Sequence, residues 1–277
     1  MFWTPEKAWM GKACYIIGGG PSLRGFDFGQ LTDENVIGCN GAYTLGAGIV
    51  DYVVLVDRVW FKPNDSDYER RQKELKDYVD TGGIVVSNLP WLETHGAPEW
   101  VNLMRRKPKG VGGGNTLGFN ASAGATALCL AVLLGAVDIR LLGFDMKLSA
   151  EGKRKNWHDE DSGKPKVDVY RRFIRGMEKL ASDLERDYPG VAVRNINNDS
   201  ELTTFETRPM TALFSRDRAK QDITTQYPVA VAKGLRIKAK AGGWYDVYGV
   251  DGEKFNNKSL REKDLGDFLA QVGRDDE

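Results

Sequence analysis

Over the first two hundred positions, short apolar runs recur, each stopped by a residue that favours turns. Ala13-Cys14-Tyr15-Ile16-Ile17 stops at Gly18, Val36-Ile37-Gly38-Cys39 at Asn40, and Tyr52 to Val56 at Asp57. Gly83 to Val86 stops at Ser87-Asn88, Asp138 to Leu142 runs into Gly143-Phe144-Asp145, and Val191 to Ile196 runs into Asn197. Runs this short, bounded by turn residues, predict buried strands. Between them lie a connector or helical turn at Phe26 to Leu31, a short helix over Ala42 to Ile49, and a charged helical period from Asp67 to Val79. Ala125 to Gly135 is apolar nearly all round, which predicts a helix buried against the sheet, with Gly135 at its end. Val167 to Asp187 places Tyr170, Phe173, Ile174, Met177, Leu180 and Leu184 at helical spacing. Strand and helix in alternation predict an α/β fold: a Rossmann-like, open, mostly parallel sheet with helices on both faces. In such a sheet the strands are apolar throughout, and their carboxyl ends face the ligand crevice.

Two stretches break the alternation. Trp91 to Trp100 carries two prolines and reads as a loop, with His95 as a surface residue. Lys147 to Lys166 is polar and basic with no apolar period, and a structureless insertion of that length is usually functional or mobile. Beyond residue 205 the pattern changes. Residues 206–226, part of a polar stretch from 203, read as a linker or arm. Residues 227–277 read as a small C-terminal β/α module. Tyr227 to Lys240 alternates apolar and basic residues, Trp244 to Val250 is a second strand, Asp251-Gly252 is a hairpin signal, and Leu260 to Val272 is a short helix. The domain expectation is therefore 1–205, 206–226 and 227–277. Lys233, Arg236, Lys238 and Lys240 form either the solvated face of an edge strand or a contact for an acidic partner.

Composition narrows the function classes. Among 277 residues, 39 are basic and 39 acidic, so net charge implies neither nucleic acid nor membrane as partner. No apolar stretch is long enough to span a bilayer, and Met1 to Lys7 lacks the layout of a signal peptide. Cys14, Cys39 and Cys129 sit inside apolar runs without metal-ligand spacing, which predicts buried free thiols in a reducing compartment. A cytoplasmic location is expected, or the host cytoplasm for a phage-encoded chain. A homo-oligomer is left open.

The candidate chemistry starts at Gly18-Gly19-Gly20-Pro21-Ser22. Glycines after a buried strand let the backbone turn and approach a ligand closely, Pro21 pre-sets φ, and Ser22 offers a hydroxyl. The loop is either a phosphate cradle or a plain turn. It is not a Gly-Lys-Ser/Thr phosphate loop, and Leu23 stands where a dinucleotide fingerprint has its third glycine. The second strand ends in Asn40 and not in an acidic residue, which disfavours nicotinamide chemistry. Asn40, Asp57, Ser87-Asn88 and Asp145 are the other polar strand ends at the expected crevice. Asn120 or Ser122 caps the apolar helix, whose N-terminus, with Gly124 in its first turn, can hold an anion. The basic run Arg105 to Lys109, leading into glycines 110–114, either closes over phosphates or is a solvated face. His158, in Trp157-His158-Asp159-Glu160-Asp161, is either a surface residue or a base whose proton affinity the carboxylates raise.

In order along the chain stand Gly-Pro-Ser-Leu after the first strand, Asn40 after the second, Asp57 after the third, and Ser122-x-Gly124 opening an apolar helix. Then come Leu-Gly-Phe-Asp, a basic loop with a histidine, a long helix, and a strand ending in Asn195-Ile196-Asn197-Asn198-x-Ser200. This order, over roughly residues 12–205, resembles the bacterial sialyltransferase-like superfamily. That group includes sialyltransferases using CMP-sialic acid, flagellin-modifying motility accessory factors, and a pterin pyrophosphokinase-like branch. The general look also suggests a phage or prophage member. The resemblance implies a glycosyltransferase. Gly18, Gly20, Pro21 and Ser22 would form the nucleotide loop, with Gly19 between them. Asn40 would contact the donor, Ser122 and Gly124 would hold its phosphate or sugar, and His158 would act as general base. The co-substrate would be a nucleotide-activated sugar, CMP-type favoured, the acceptor a hydroxyl of unknown identity, and no metal would be required. The chain departs from the family after Asp145, where Met146, Lys147 and Leu148 replace the tyrosines that stabilise the leaving phosphate. Lys147 or Arg154 would then supply positive charge. In the pyrophosphokinase branch, ATP and Mg²⁺ would be used, with Asp57 and Asp145 as metal ligands. The alternative from another class is a non-catalytic binding protein on a nucleotide fold.

Overall fold

Alternate residues of the first strand point to opposite sides of the sheet, and both sides are apolar. Cys14 and Ile16 belong to one hydrophobic core, Tyr15 and Ile17 to another. The strand can therefore only sit in the middle of a layered structure. The computed structural model describes residues 2–63, 66–149, 156–158, 168–210, 227, 230, 233–240, 244–249, 253–256 and 258–272. It falls into two compact units, Met1–Leu213 and Phe214–Glu277.

In the first unit, eight strands form one sheet: β1 (Ala13–Ile17), β2 (Val36–Cys39), β3 (Tyr52–Val54), β4 (Ile84–Ser87), β5 (Val101–Leu103), β9 (Asp138–Leu142), β10 (Ala192–Asn195) and β11 (Glu206–Thr207). Strands β6 (Arg105–Lys107), β7 (Gly112–Gly113) and β8 (Thr116–Gly118) make a small separate sheet. The large sheet runs in the order β11-β10-β9-β1-β2-β3-β4-β5, and every neighbouring pair is parallel. Chain order thus proceeds outward from β1 in one direction to β5, and from β9 in the other direction to β11. The reversal, between β1 and β9, is the topological switch point at which open α/β sheets bind ligands.

Helices α3 (Ala123–Leu133) and α4 (Asp168–Asp187) contribute to the core on one face. Helices α1 (Tyr68–Asp80) and α2 (Pro90–His95) contribute Leu75, Tyr78 and Leu92 to the core on the other. Helix α3 ends as its pattern predicts: the amides of Gly135 and Ala136 return to the carbonyls of Val132 and Ala131.

Several local expectations are corrected. The stretch from Trp91 is not all loop: Pro90, fixed at a helix-compatible φ, opens α2, which carries His95 in its last turn, and Val101 then pairs with β4. The polar stretch after 203 contributes the edge strand β11, and the basic run 105–107 is β6. The expected helix over 42–49 is a 3₁₀ segment, Asn40–Leu45. The sheet is also not apolar throughout. Tyr15, Arg140, Arg194 and Glu206 stand in one cross-strand row, in which Arg140 donates to the Tyr15 hydroxyl and Arg194 pairs with Glu206 at 3.1 Å. Paired charges replace apolar packing in that row.

In the second unit, β12 (Arg236–Lys240), β13 (Trp244–Tyr248) and β14 (Leu260–Arg261) form an antiparallel sheet in that order, followed by α5 (Glu262–Gln271). Its core includes Leu235, Ile237, Val247, Leu265 and Leu269. Strand β12 is an edge, and Lys238 lies 4.0 Å from the Tyr248 ring centre. Lys233 donates to the Leu269 carbonyl at 2.9 Å, a cation at a helix C-terminus. Asp251 and Gly252 lie outside the described residues.

Candidate active site

The glycine loop leaves β1 directly at the switch point, and its glycines are required by contact. A Cβ on Gly20 would lie 2.3 Å from Asp145 Oδ2 and 2.5 Å from the Gly143 carbonyl, and one on Gly18 would lie 2.6 Å from that same carbonyl. The loop after β1 and the loop after β9 are thus packed backbone on backbone, at distances no side chain permits. Gly143 itself has φ +68°, a conformation other residues rarely adopt. Hydrogen bonds lock the two loops: Gly18 N–H to the Leu142 carbonyl at 2.7 Å, and Gly20 N–H to the Gly143 carbonyl at 2.8 Å.

Asp145 ties the arrangement together. It is 2% exposed. Its Oδ2 accepts from the Ser22 N–H at 2.8 Å, and its Oδ1 accepts from the Asn197 side-chain amide. Asn197 is fixed in turn, because its Oδ1 accepts from the Asp199 N–H at 2.9 Å. The Asp145 carbonyl receives the Glu201 N–H, and the Ser200 hydroxyl donates to the Phe144 carbonyl at 2.6 Å. The segment after β10 therefore supports the loop after β9, which supports the glycine loop. Both Asp145 oxygens face N–H donors, a donor set that repels a cation. Asp57 is exposed at the end of another strand. The two carboxylates do not fit a shared Mg²⁺ site in this arrangement.

Phe144 joins a third element to the site. Its ring lies 3.1 Å from a Cβ position on Gly18 and 2.6 Å from one on Gly124, so the start of α3 abuts the glycine loop across one aromatic ring. Ser122 is the N-cap, its Oγ accepting from the Ala125 N–H at 3.1 Å. Asn120 has a different task. It is buried, accepts from the Gly110 N–H at 2.9 Å, donates to the Gly110 carbonyl at 3.0 Å, and contacts Cys129 Sγ. It staples the glycine-rich 110–114 turn to α3.

Trp157 and His158 reach the loop from the polar insertion. The Trp157 N–H donates to the Gly19 carbonyl at 3.0 Å, and its Nε1 donates to the Gly18 carbonyl at 2.8 Å. The indole packs on Phe28 with ring centres 4.7 Å apart, and the His158 ring stands edge-on to it at 4.9 Å. The histidine is thereby held beside the nucleotide-loop candidates. Arg154 and Asp159 to Asp161 lie outside the described residues. Lys147, on the loop after β9, pairs with Asp199 at 2.6 Å.

Asn40 begins the 3₁₀ turn after β2, beside β1, with φ +53°. Its Oδ1 is buried and accepts no hydrogen bond among the described residues. An orphaned buried acceptor is costly unless a ligand supplies the donor. Of five non-glycine residues with positive φ among the described residues, four are Asn40, Asn120, Ala121 and Met146. These stand after β2, before α3 and after β9, and such strain concentrates at functional sites.

The expected rim residues beyond β2 are engaged otherwise. Ser87 donates to the Leu55 carbonyl at 2.6 Å, and Asn88 to the Leu117 carbonyl at 3.1 Å. Arg106, outside the sequence expectation as a single residue, donates to the Asn88 and Val56 carbonyls and lies 3.9 Å from the Phe119 ring centre. Burial pushes its pKa down, with Asp57 opposing. Sequence reasoning also missed Trp157 and Asn197 as anchors. Their signals were present, the tryptophan next to His158 and the asparagines after β10, but neither shows its partner without the fold.

No protein-family model and no curated protein matches the sequence. Among solved structures, the chain is similar to the MAf glycosyltransferase from Magnetospirillum magneticum AMB-1, with 17% sequence identity and a TM-score of 0.49 over 78% of this chain and 36% of that one. It spans little more than a third of that protein's length. It is also similar to the sialyltransferase CstII from Campylobacter jejuni in complex with the substrate analogue CMP-3FNeuAc, with 16% identity and a TM-score of 0.44 over 71% of this chain and 85% of that one. A variant of sialyltransferase CST-II in complex with CMP gives 17% identity and a TM-score of 0.41 over 71% and 86%.

Proposed function

We propose that the chain is a nucleotide-dependent glycosyltransferase, moving a sugar from a nucleotide-activated donor to an acceptor hydroxyl. The observation that carries this reading is the switch-point crevice, in which the glycine loop, the loop after β9, the start of α3 and the Trp157-His158 pair interlock. The capped start of α3 binds the donor phosphate through its helix N-terminus, and the glycine loop, whose Gly18, Gly20 and Ser22 N–H groups are spent within the protein, lets the donor approach closely. Asn40 Oδ1 accepts a hydrogen bond from the donor. Lys147, with Arg154 as the further candidate, offsets charge on the leaving phosphate. In the reaction the bond between the anomeric carbon and the phosphate oxygen breaks. The acceptor oxygen bonds to that carbon, and His158 takes the acceptor proton. Asp145 positions the loop and does not touch the donor. A CMP-type donor is favoured by the motif order alone.

Thermal-shift measurements with CMP, CDP, UDP, GDP and ATP, with and without Mg²⁺, test the reading. Stabilisation by CMP without metal supports it. Stabilisation by ATP only with Mg²⁺ supports the pyrophosphokinase alternative, and no shift with any nucleotide removes both. His158→Ala is expected to abolish transfer while nucleotide binding persists; a variant that retains turnover sinks the base assignment.

A further inference from the structure

A second concave site lies away from the glycine loop, between the 107–112 segment and the last turns of α4. Its volume is about 510 Å³, within the range of small-molecule pockets. Its side-chain walls include Lys107, Lys109, Lys179, Asp183, Arg186 and Tyr188. We infer that this cleft binds a phosphate monoester, independently of the crevice at the switch point.

Charge bookkeeping at the cleft gives the ligand class. Asp183, 7% exposed, organises one wall: it pairs with Arg186 at 3.1 Å and with Lys179 at 3.6 Å. Arg186 also grips Asp187, through Nε and Nη2, each at 2.7 Å. Two carboxylates are thereby matched by two cations. Lys107 and Lys109 remain, and among the described residues neither stands within ion-pair distance of a carboxylate. Lys107 Nζ and Asp183 Oδ2 both border Gly110, at 3.5 and 3.7 Å from a Cβ position there, so one ammonium sits at the cleft itself. Four cations thus line the cleft against two carboxylates, and that surplus suits the charge of a phosphate monoester, close to −2 at neutral pH. Tyr188 adds a hydroxyl. Burial, then Asp187 and Cys129, push its pKa up, so it stays a donor at neutral pH.

The test is calorimetric titration of the full chain with glucose 6-phosphate at low ionic strength and with excess CMP present, so that the glycine loop's own affinity does not enter. The expected result is uptake of one equivalent, with none for glucose. The double variant Lys107→Ala, Lys109→Ala should lose affinity by about tenfold or more, since charge-assisted hydrogen bonds are the strong ones. Both side chains are exposed, and its melting temperature should match the parent. The inference is overturned if the parent takes up no glucose 6-phosphate or if the double variant binds it equally well. It is also overturned if an oligodeoxythymidylate binds more tightly through the same lysines.

Discussion

Exchanging Asp145 for asparagine changes one atom's chemistry and almost no volume, so it isolates the clamp that holds the glycine loop. In the parent, both carboxylate oxygens accept, one from the Ser22 N–H and one from the Asn197 amide. After Asp145→Asn, one of those positions becomes an NH₂ group. If it faces Ser22, two donors oppose each other and the loop loses its tether. If it faces Asn197, that side chain must flip, which breaks the bond its Oδ1 accepts from the Asp199 N–H. Either way one hydrogen bond to a charged group is lost in a buried place. That costs about 1.5–3 kcal/mol. For a unit of this size, about 2–4 °C accompany each kcal/mol, so melting should fall by about 3–12 °C. The reciprocal double variant, Asp145→Asn with Asn197→Asp, restores the count. The amide at 145 then donates to the carboxylate at 197, and its oxygen accepts from Ser22. It should recover most of the loss. Calorimetric melting of the four proteins of this cycle supplies the coupling energy. A single variant within about 0.5 kcal/mol of the parent, or a double variant no better than the sum of its parts, would refute the clamp.

Three further outcomes follow from local geometry. Ser122→Ala removes the α3 cap and should cost about 1 kcal/mol, or about 2–4 °C in melting temperature. Trp157→Phe keeps the ring against Phe28 but deletes the Nε1 donor to Gly18; turnover should fall by about tenfold to a hundredfold, as misplacement of a base does, with nucleotide affinity little changed. Equal turnover would show that the indole does not position His158. The thiols should set an alkaline limit. Burial pushes Cys39 and Cys129 from 9.0 up to about 12 and raises Cys14 as well. Above pH 9 the unfolded chain releases thiol protons that the folded chain keeps, so stability is full below that pH and falls up to about pH 12. Each thiol adds a slope of about 1.4 kcal/mol per pH unit. Denaturant melts across pH 7–11 measure this, and a thiol-reactive dye at pH 8 should label the three cysteines only on unfolding.

What could be read from the residues alone was local. Six apolar runs bounded by turn residues became β1, β2, β3, β4, β9 and β10, and the amphipathic period from Val167 became α4. Ser122 capped α3 because hydroxyl, helix period and glycine stop all lie within a few residues of one another. The glycine turn was legible for the same reason, since its glycines follow the strand directly. Periodicity does not say which strand lies beside which. Only the fold brings β9 against β1 and so sets Asp145 beneath Ser22, 123 positions away in sequence. The carboxylate that looked from sequence like a ligand or metal group spends both oxygens on its own chain, and Asn120 likewise spends its amide on Gly110. A polar side chain's role is set by the partners that long-range packing brings to it. The sequence by itself determined that a glycine loop would follow a buried strand. The tertiary structure decided that this loop stands at the switch point, held from below by Asp145 and from the side by Trp157.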